Sequence, residues 1–353
     1  MRLLALDLGP GMRGGQRQTA LLLSGLASRG HEIRLLARRG SPLAASARAS
    51  GLDTVEVAAG SEASPALLLA VAREARSFRP AIVYAGDARG HGAAVFGRAA
   101  ASAPLVVHRR VAFPPGRSLL SRYKYRAATR YLAISRAVST VLASAGVPAG
   151  KIVVVPDGLP EAAFLESTAK APPPFRLVHA GAFDGMKGQD VVVETVARLV
   201  AEGIEATVTF LGDGPLRGRV EAQASARGIA SRCAFPGEVE GVAERFAASH
   251  LLLFPSASEG GGLVLVEAMA AGCPVVGHDV GGAREMVADG TAGLLVASLD
   301  PAEWAAAARS VLLDSVLRER LVAAGHAAAR ERTIGRTVEL VEAELLRVLA
   351  EAA

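Results

Sequence analysis

The sequence predicts an α/β protein made of two doubly wound, parallel-sheet domains. Short apolar segments alternate with stretches of helical periodicity along almost all of its 353 residues. These segments are apolar throughout, as expected for strands of a parallel sheet that helices cover on both faces. A polar and then proline-rich stretch, ESTAKAPPP at 166–174, interrupts the pattern, which afterwards restarts. A chain of this length typically forms about two domains.

The first half predicts a sheet that begins with the opening apolar segment. A glycine-rich loop follows that strand and leads into a helix with apolar residues at helical spacing. The predicted strands cover residues 3–8, 31–37, 55–57, 81–84, 105–107 and 131–134, and the predicted helices include 16–28, 65–77 and 135–145.

The second half repeats the same alternation and predicts a second sheet. Its predicted strands cover residues 176–180, 206–211, 232–235, 250–254 and 274–277, with helices at 188–201, after Pro215, at 263–271 and from Pro301 onward. We therefore expect an N-terminal domain at 1–165, a linker at 166–174 and a C-terminal domain at 175–330. Ligands of such sheets bind at the carboxyl ends of the strands, so two facing units predict a cleft.

Composition indicates a folded protein of the cytoplasm. Half of the residues (51%) are hydrophobic and 21% are charged, which excludes a disordered chain. Cys233 and Cys273 lie in apolar stretches without metal-ligand spacing, so we expect two reduced core thiols. Asp7 interrupts the opening apolar segment and argues against a signal peptide, and no apolar run is long enough to span a bilayer.

Charge is distributed unevenly along the chain, although the net charge is only +5. The first half carries a large basic excess, and no carboxylate occurs between Asp87 and Asp157. Such a field attracts anions, either phosphorylated acceptors or an anionic membrane surface. The alternative is a solvated basic surface. A nucleic-acid partner is not expected, because the basic stretch has no recognised nucleic-acid motif and the second half is acidic.

The segment 259–272, EGGGLVLVEAMAAG, has the features of a phosphate-binding helix start. Its glycines allow close approach to a ligand, and the first N–H groups of the helix attract a diphosphate. Glu259 and Glu267 flank this start, and two carboxylates suit the recognition of sugar or ribose hydroxyls. The alternative is a loop charge and a solvent-facing helix residue. The predicted contacts are Gly260, Gly261, Gly262, Leu263 and Val264.

This segment closely resembles the donor-site signature, Glu-x7-Glu, of family 4 retaining GT-B glycosyltransferases. The resemblance continues in order along the chain with GGQRQTALLLSGLASRGHEI, PLVVHRR, YLAISRAVSTVLASAGVPAGKIVVVPDGL, HAGAFDGMKGQD, LGDGPLR and FPGEV. It implies a GT-B fold, with a C-terminal helix at 331–353 that returns to the N-terminal domain. It also implies transfer of a hexosyl or related sugar from a nucleotide diphosphate sugar to an acceptor hydroxyl.

The resemblance assigns roles to individual residues. Glu259 would hold hydroxyls of the donor sugar, Glu267 the ribose, and Lys187 the diphosphate. His108 would orient the sugar and is counted with Glu259 and Lys187 as catalytic. The backbone at Gly14 and Gly15 would approach the diphosphate and sugar, and that at Gly237 and Val239 would line the base. The predicted acceptor contacts are the basic residues Arg109, Arg110, Arg122 and Lys124.

One departure concerns the phosphate loop, where the family usually has Arg after the glycine. This chain has Ala182 after Gly181, so the second phosphate cation is missing. Lys187 and the helix start would then act alone, or an arginine from elsewhere would substitute. No convincing Asp-x-Asp loop occurs, so no metal or other cofactor is expected. The acceptor would be a glycan or a lipid-linked, anionic group, as in envelope polysaccharide, lipopolysaccharide or glycolipid assembly, with peripheral contact at the inner membrane.

Two other enzyme classes remain open at the level of sequence. Gly9, Gly11 and Gly14 fit a G-x-G-x-x-G dinucleotide fingerprint, and Arg38 and Arg39 could bind a 2′-phosphate, which favours an NADP-dependent oxidoreductase. A nucleotide-sugar epimerase or another enzyme, or a non-catalytic partner, could share the GT-B scaffold. Binding of NADPH against UDP-sugars, followed by product analysis, distinguishes these possibilities.

Overall fold

The computed structural model describes residues 1–62, 64–165 and 173–352. It divides into two compact units. Unit 1 is Met1–Gly158 together with the C-terminal segment that begins at Ile334, and unit 2 is Leu159–Thr333. Residues 166–172, most of the predicted linker, lie outside the described residues.

The sheet of unit 1 is parallel and has a buried core on each face. Its described strands are β1 (Arg2–Asp7), β2 (Glu32–Arg38), β3 (Asp53–Val57), β4 (Ile82–Ala85), β5 (Leu105–Arg109), β6 (Arg130–Ala133) and β7 (Ile152–Val154). They are ordered β3-β2-β1-β4-β5-β6-β7. Along β1, Leu4 and Leu6 pack into one core, and Leu3 and Ala5 pack into the other. Because both faces are covered, every position from Leu3 to Leu6 is apolar.

The helices of unit 1 cover the two faces of this sheet. They are α1 (Gly14–Ser28), α2 (Pro42–Ala49), α3 (Pro65–Phe78), α4 (Ala88–Phe96), α5 (Leu119–Ala127) and α6 (Arg136–Ser144), with the last helix of the chain, α14 (Ile334–Ala352). Capping side chains fix several of their starts. Asp87 accepts a hydrogen bond from Gly90 N at 2.7 Å, and Ser41 accepts one from Ala44 N at 3.3 Å.

Helix α14 packs against α1 within unit 1. Gly25 of α1 faces Val338, and a Cβ at Gly25 would lie only 2.5 Å from a methyl carbon of that side chain. Glu342 pairs with Arg29 at 2.6 Å and with His31 at 2.7 Å. Arg130 of β6 pairs with Glu351 at 2.6 Å. Apolar packing and these pairs therefore hold the last helix on the first unit.

Unit 2 repeats the arrangement with a parallel sheet in the order β10-β9-β8-β11-β12-β13. These strands are β8 (Phe175–Ala180), β9 (Ala206–Leu211), β10 (Cys233–Gly237), β11 (Leu251–Phe254), β12 (Val275–His278) and β13 (Leu294–Val296). The helices are α7 (Gln189–Ala201), α8 (Arg217–Ala226), α9 (Val242–Ala247), α10 (Leu263–Ala270), α11 (Ala283–Met286), α12 (Pro301–Leu313) and α13 (Ser315–Arg330). Within the described ranges, no helix is long and apolar enough to cross a membrane.

The predicted fold class is confirmed, since both units are α/β with parallel sheets. The sequence does not predict α4, α5, β7 or β13. Helix α4 (ARGHGAAVF) contains two glycines, which lower helix propensity. Helix α5 (LLSRYKYRA) is short and basic, and β7 and β13 have only three residues each. Tertiary packing, rather than local pattern, stabilises these elements.

Candidate functional site

The start of α10 forms an anion-attracting helix terminus at the carboxyl end of β11. Gly262 precedes the helix with a left-handed backbone, φ +61°. A Cβ there would lie 3.0 Å from Met286 Cγ, so glycine satisfies both the conformation and the packing. The predicted residues Gly260, Gly261, Gly262, Leu263 and Val264 lie together at this start. The N–H groups of the first helical turn and the helix dipole favour an anion here, and Gly262 N already donates to the carboxylate of Glu259.

Glu259 links this helix start to Lys187. Its Oε2 lies 2.9 Å from Lys187 Nζ, and its Oε1 accepts a hydrogen bond from Gly262 N at 3.1 Å. Lys187 Nζ also lies 3.5 Å from Ser256 Oγ and 5.5 Å from the centre of the Phe254 ring. The side chains of Lys187 and Glu259 are 24% and 14% exposed. The carboxylate therefore occupies the position where these cationic and N–H groups would hold an external anion.

The loop between β8 and α7 brings Lys187 to this position. Gly188 has φ +67°, and a Cβ there would lie 2.3 Å from Pro255 O, so the two loops touch through their backbones. Ser256 Oγ donates to Met186 O at 3.2 Å, and Ala257 N donates to the same oxygen at 2.9 Å. These contacts fix the ammonium group beside the helix start.

The other predicted donor residues of unit 2 lie at the same edge of its sheet. Gly237 ends β10, and its carbonyl accepts a hydrogen bond from Gly212 N at 2.9 Å. Val239 is partly buried and packs against the core formed with Val178 and Leu211. Glu267 lies within α10 and is half-buried. Because β10, β9, β8 and β11 are neighbours, their carboxyl ends place these groups along one continuous edge.

Unit 1 carries a second polar group at the carboxyl end of its sheet. Gly14 and Gly15 open α1, and a Cβ at Gly15 would lie 3.6 Å from Arg110 Cδ. His108 on β5 is buried, and its Nδ1 lies 2.8 Å from the Tyr84 hydroxyl. Burial lowers the pKa of His108 well below its ordinary value, and the charge of Arg110 lowers it further. The imidazole is therefore neutral.

Arg110 is the centre of this group. Its Nε lies 3.2 Å from both carboxylate oxygens of Asp157, and its Nη1 donates to Thr19 Oγ1 at 3.0 Å and to Gly86 O at 3.1 Å. Burial alone would lower the pKa of Arg110, but Asp157, Tyr84 and Asp7 together outweigh it and raise that pKa. Burial also raises the pKa of Asp157, and Arg110 offsets this in part. The pair thus connects β5, α1 and the segment after β7.

We expect Asp157→Asn to lower the free energy of unfolding by about 3 kcal/mol, because it leaves a buried guanidinium without its counter-charge. Urea unfolding measures the loss. Asp53→Asn is the matched control, since the Asp53–Arg34 pair at 2.7 Å is half exposed at Asp53 and should lose less than about 1 kcal/mol. Equal losses in the two variants would contradict the structural role of Asp157.

The other predicted acceptor cations have different surroundings. Lys124 Nζ donates to Glu62 Oε2 at 2.6 Å and to Ala88 O at 2.7 Å, so it is already paired. Arg109 is 8% exposed, donates from Nη2 to Phe113 O and lies beside the Tyr125 ring. Arg122 is exposed on α5. The structure therefore does not bring the four cations together on one open surface.

Sequence reasoning missed the carboxylates that organise unit 1. Asp7 is fully buried, and its Oδ2 accepts a hydrogen bond from Thr19 Oγ1 at 2.8 Å. Asp87 accepts one from Leu8 N at 3.1 Å, and burial together with the charge of Asp7 raises its pKa to about 6. The available signal was an aspartate directly at the carboxyl end of an apolar strand, which is rare unless the group is paired.

Both halves of the chain match known family models. Residues 12–162 match the family model described as Glycosyltransferase Family 4, and residues 162–328 match the one described as Glycosyl transferases group 1. The chain belongs to glycosyltransferase family 4. The first model covers most of unit 1, and the second covers almost all of unit 2.

Curated relatives resemble part of the chain. The D-inositol 3-phosphate glycosyltransferase of Geodermatophilus obscurus is 37% identical over 174 residues, which are 45% of this chain and 38% of the relative. The alpha-D-kanosaminyltransferase of Streptomyces kanamyceticus is 32% identical over 147 residues, 41% of this chain and 38% of the relative. The matched part thus spans about two fifths of the length of these relatives.

Solved structures resemble the whole chain in fold. The HepE protein of Anabaena, solved with UDP and glucose, has a TM-score of 0.82 at 21% identity and covers 98% of this chain and 99% of its own. A glycosyltransferase of Rickettsia africae has a TM-score of 0.85 at 16% identity, with coverage of 99% and 98%. At such low identity the similarity establishes the GT-B fold and nothing finer.

Proposed function

We propose that the protein is a retaining glycosyltransferase that moves a sugar from a nucleotide diphosphate sugar to an acceptor hydroxyl. One observation carries the proposal: Lys187 Nζ and Gly262 N, at the start of α10, both hold the carboxylate of Glu259, at 2.9 Å and 3.1 Å. An ammonium beside a helix start suits a diphosphate, and a carboxylate suits sugar hydroxyls. Several structures of similar fold hold UDP or a UDP-sugar, which makes a uridine donor the first to test.

The proposed chemistry requires stabilisation of the leaving diphosphate. The bond from the anomeric carbon to the diphosphate oxygen breaks, and the bond to the acceptor oxygen forms on the same face. The acceptor proton passes to the departing phosphate oxygen, so no protein nucleophile is assigned. Lys187 and the N–H groups at 262–264 stabilise the charge that develops on the leaving group. Glu267 would accept hydrogen bonds from the ribose, and the transfer would need no metal.

His108 would act as a neutral group in this reaction. Since burial lowers its pKa well below the ordinary value, we expect no fall in kcat/KM from its protonation between about pH 8 and about pH 6. His108→Gln should lower kcat/KM about 100-fold but leave the shape of the pH profile unchanged. A step near pH 6.5 that appears in the wild type and vanishes in the variant would contradict a neutral imidazole.

The proposed acceptor is anionic and is a phosphorylated polyol, a glycan or a lipid-linked group. The basic residues of unit 1 support this, and similar proteins include enzymes named for D-inositol 3-phosphate. A place in envelope polysaccharide, lipopolysaccharide or glycolipid assembly remains part of the proposal. We also propose that the protein lies in the cytoplasm and makes peripheral contact with an anionic membrane.

Helix α5 supports the membrane contact, because Leu119 and Tyr123 are exposed next to basic residues. Their exposed fractions are 83% and 61%, and Arg122 and Arg126 are exposed on the same helix. We expect Leu119→Ser to weaken binding to vesicles rich in anionic lipid about tenfold, because the contact then buries one apolar side chain fewer. Co-sedimentation measures this, with Leu313→Ser, 61% exposed in unit 2, as the control. If the two variants bind the vesicles equally well, α5 does not contact the membrane.

The structure disfavours the oxidoreductase alternative. The carboxylate of Asp7 accepts a hydrogen bond from Gly9 N at 3.3 Å and lies at the base of the glycine-rich loop. Asp7 thus occupies the N–H of Gly9, the first glycine of the dinucleotide fingerprint. A nucleotide-sugar epimerase remains the second candidate on the same scaffold, since it would use the same donor cluster without any acceptor.

Product analysis tests the proposal. UDP-, GDP- and ADP-sugars are screened for thermal stabilisation, and the best donor is then incubated with inositol phosphate or alkyl phosphate glycan acceptors. NMR of the product should show a new glycosidic bond with the anomeric configuration of the donor. Inversion would contradict retention, and conversion of the donor without an acceptor would identify an epimerase. Stabilisation by NADPH but by no sugar nucleotide would overturn the proposal.

A further inference from the structure

Unit 1 contains two neighbouring cavities near α4 and α5. The first has a volume of about 300 Å³ and is lined by Glu62, Arg109, Lys124 and Tyr125 among others. The second has a volume of about 460 Å³ and is lined by apolar side chains of α4, α5 and the short segment after α4, together with Arg98 and Tyr123. Phe96 lines both cavities. The two cavities therefore share a wall at Phe96.

Arg109 leaves a positive charge unbalanced in the first cavity. The residue is 8% exposed, and its Nε is buried without a hydrogen-bond partner. Nη2 donates to Phe113 O, and the guanidinium lies 5.9 Å from the centre of the Tyr125 ring. Among the described residues, no carboxylate forms an ion pair with it. A buried charge without a counter-charge is costly, which points to an anionic ligand.

The neighbouring charges do not supply that anion. Lys124 and Glu62 pair with each other at 2.6 Å, and Lys124 also donates to Ala88 O. This pair is neutral as a whole, so the first cavity keeps the positive charge of Arg109. Its electrostatics therefore select one acidic group.

The second cavity selects an apolar group. Its lining includes Val95, Phe96, Ala100 and Ala127, and Tyr123 borders it with a side chain that is largely exposed. A small inorganic anion would leave this surface in contact with water, whereas an alkyl chain would cover it. The two cavities together match a molecule with one acidic end and one apolar end.

We propose that the two cavities bind one anionic amphiphile, a phosphate carried on an alkyl or prenyl chain. The phosphate lies against Arg109, and the chain passes Phe96 into the apolar cavity. This inference rests on the proposed function, because the amphiphile is the natural form of a lipid-linked acceptor. It assigns the acceptor anion to Arg109 rather than to Arg110 or Lys124, whose charges are already paired.

Calorimetry with dodecyl phosphate, below its micelle-forming concentration, tests the site on the full chain without any donor. We expect Arg109→Gln to weaken binding at least tenfold, or about 1.4 kcal/mol. Arg76→Gln removes an exposed charge from α3 of the same unit and should change the affinity less than twofold. Inorganic phosphate and dodecyl maltoside should each bind at least tenfold more weakly than dodecyl phosphate.

A second variant separates the two cavities. Ala101 is exposed and lines the apolar cavity, so Ala101→Trp fills it without burying a new group in the core. We expect at least fivefold weaker binding of dodecyl phosphate. Equal binding by Arg109→Gln and Arg76→Gln, or inorganic phosphate binding as tightly as dodecyl phosphate, would overturn the inference.

Different results would contradict the proposed function and this inference. Stabilisation by UDP depends on unit 2 and serves as the folding control for both variants. If the protein binds the amphiphile but transfers no sugar, the amphiphile site is supported and only the proposed function is contradicted. Transfer to a water-soluble acceptor, with no binding of dodecyl phosphate, would remove only the amphiphile site.

Discussion

Lys187→Ala should lower kcat/KM for sugar transfer about 100- to 1,000-fold while the fold stays intact. Lys187 Nζ lies beside the start of α10, within 2.9 Å of Glu259 and 3.5 Å of Ser256 Oγ. Lys187 is the only cation of the described loop at 181–188, so this ammonium has no neighbouring substitute there. Removing one preorganised group that stabilises a developing anion typically costs a factor of this size.

Steady-state kinetics with the best donor measure the loss. Arg219→Ala is the matched control, because it removes an exposed positive charge from α8 of the same unit. The control should keep kcat/KM within about twofold of the wild type. A Lys187→Ala enzyme within threefold of the wild type would contradict the phosphate role, provided that its thermal unfolding is unchanged.

Glu259→Gln should change two measurements in opposite directions. Transfer should fall about 100-fold, because the sugar hydroxyls lose a charged acceptor. Affinity for UDP alone should rise several-fold, because Glu259 now competes with the diphosphate for Lys187 and for Gly262 N. The ion pair is partly buried, so its removal frees a cation that the nucleotide can use.

Titration calorimetry with UDP, alongside the transfer assay, tests both directions. Glu303→Gln on α12 removes an exposed carboxylate from the same unit and should change neither quantity by more than about twofold. If Glu259→Gln binds UDP no more tightly than the wild type, the carboxylate does not compete for the diphosphate. A fall in both measurements would indicate that Glu259 instead supports the helix start.

The sequence predicted the features that depend on neighbouring residues. The glycines at 260–262 and the first turn of α10 are adjacent in the chain, so their helix-start geometry follows from local pattern. The two parallel sheets follow from apolar segments and helical spacing. The contact between Lys187 and Glu259 joins residues 72 apart, so only the resemblance to a known family suggested it.

Charge counting was a weaker guide in unit 1. It identified Arg110 and Lys124 as acceptor contacts, whereas the structure pairs them with Asp157 and Glu62. Both pairings join segments that are distant in the chain, and the carboxylates carry no local signal. Arg109 is the cation that folding buries without a carboxylate partner among the described residues. Burial and partners, rather than composition, separate a structural charge from one available to a ligand.

A structure of the protein with an intact nucleotide diphosphate sugar tests the central claim most directly. The account predicts a diphosphate oxygen within hydrogen-bond distance of Lys187 Nζ and of the N–H groups at 262–264, with Glu259 turned to the sugar hydroxyls. A diphosphate bound elsewhere, with the 2.9 Å contact between Lys187 and Glu259 unchanged, would contradict it.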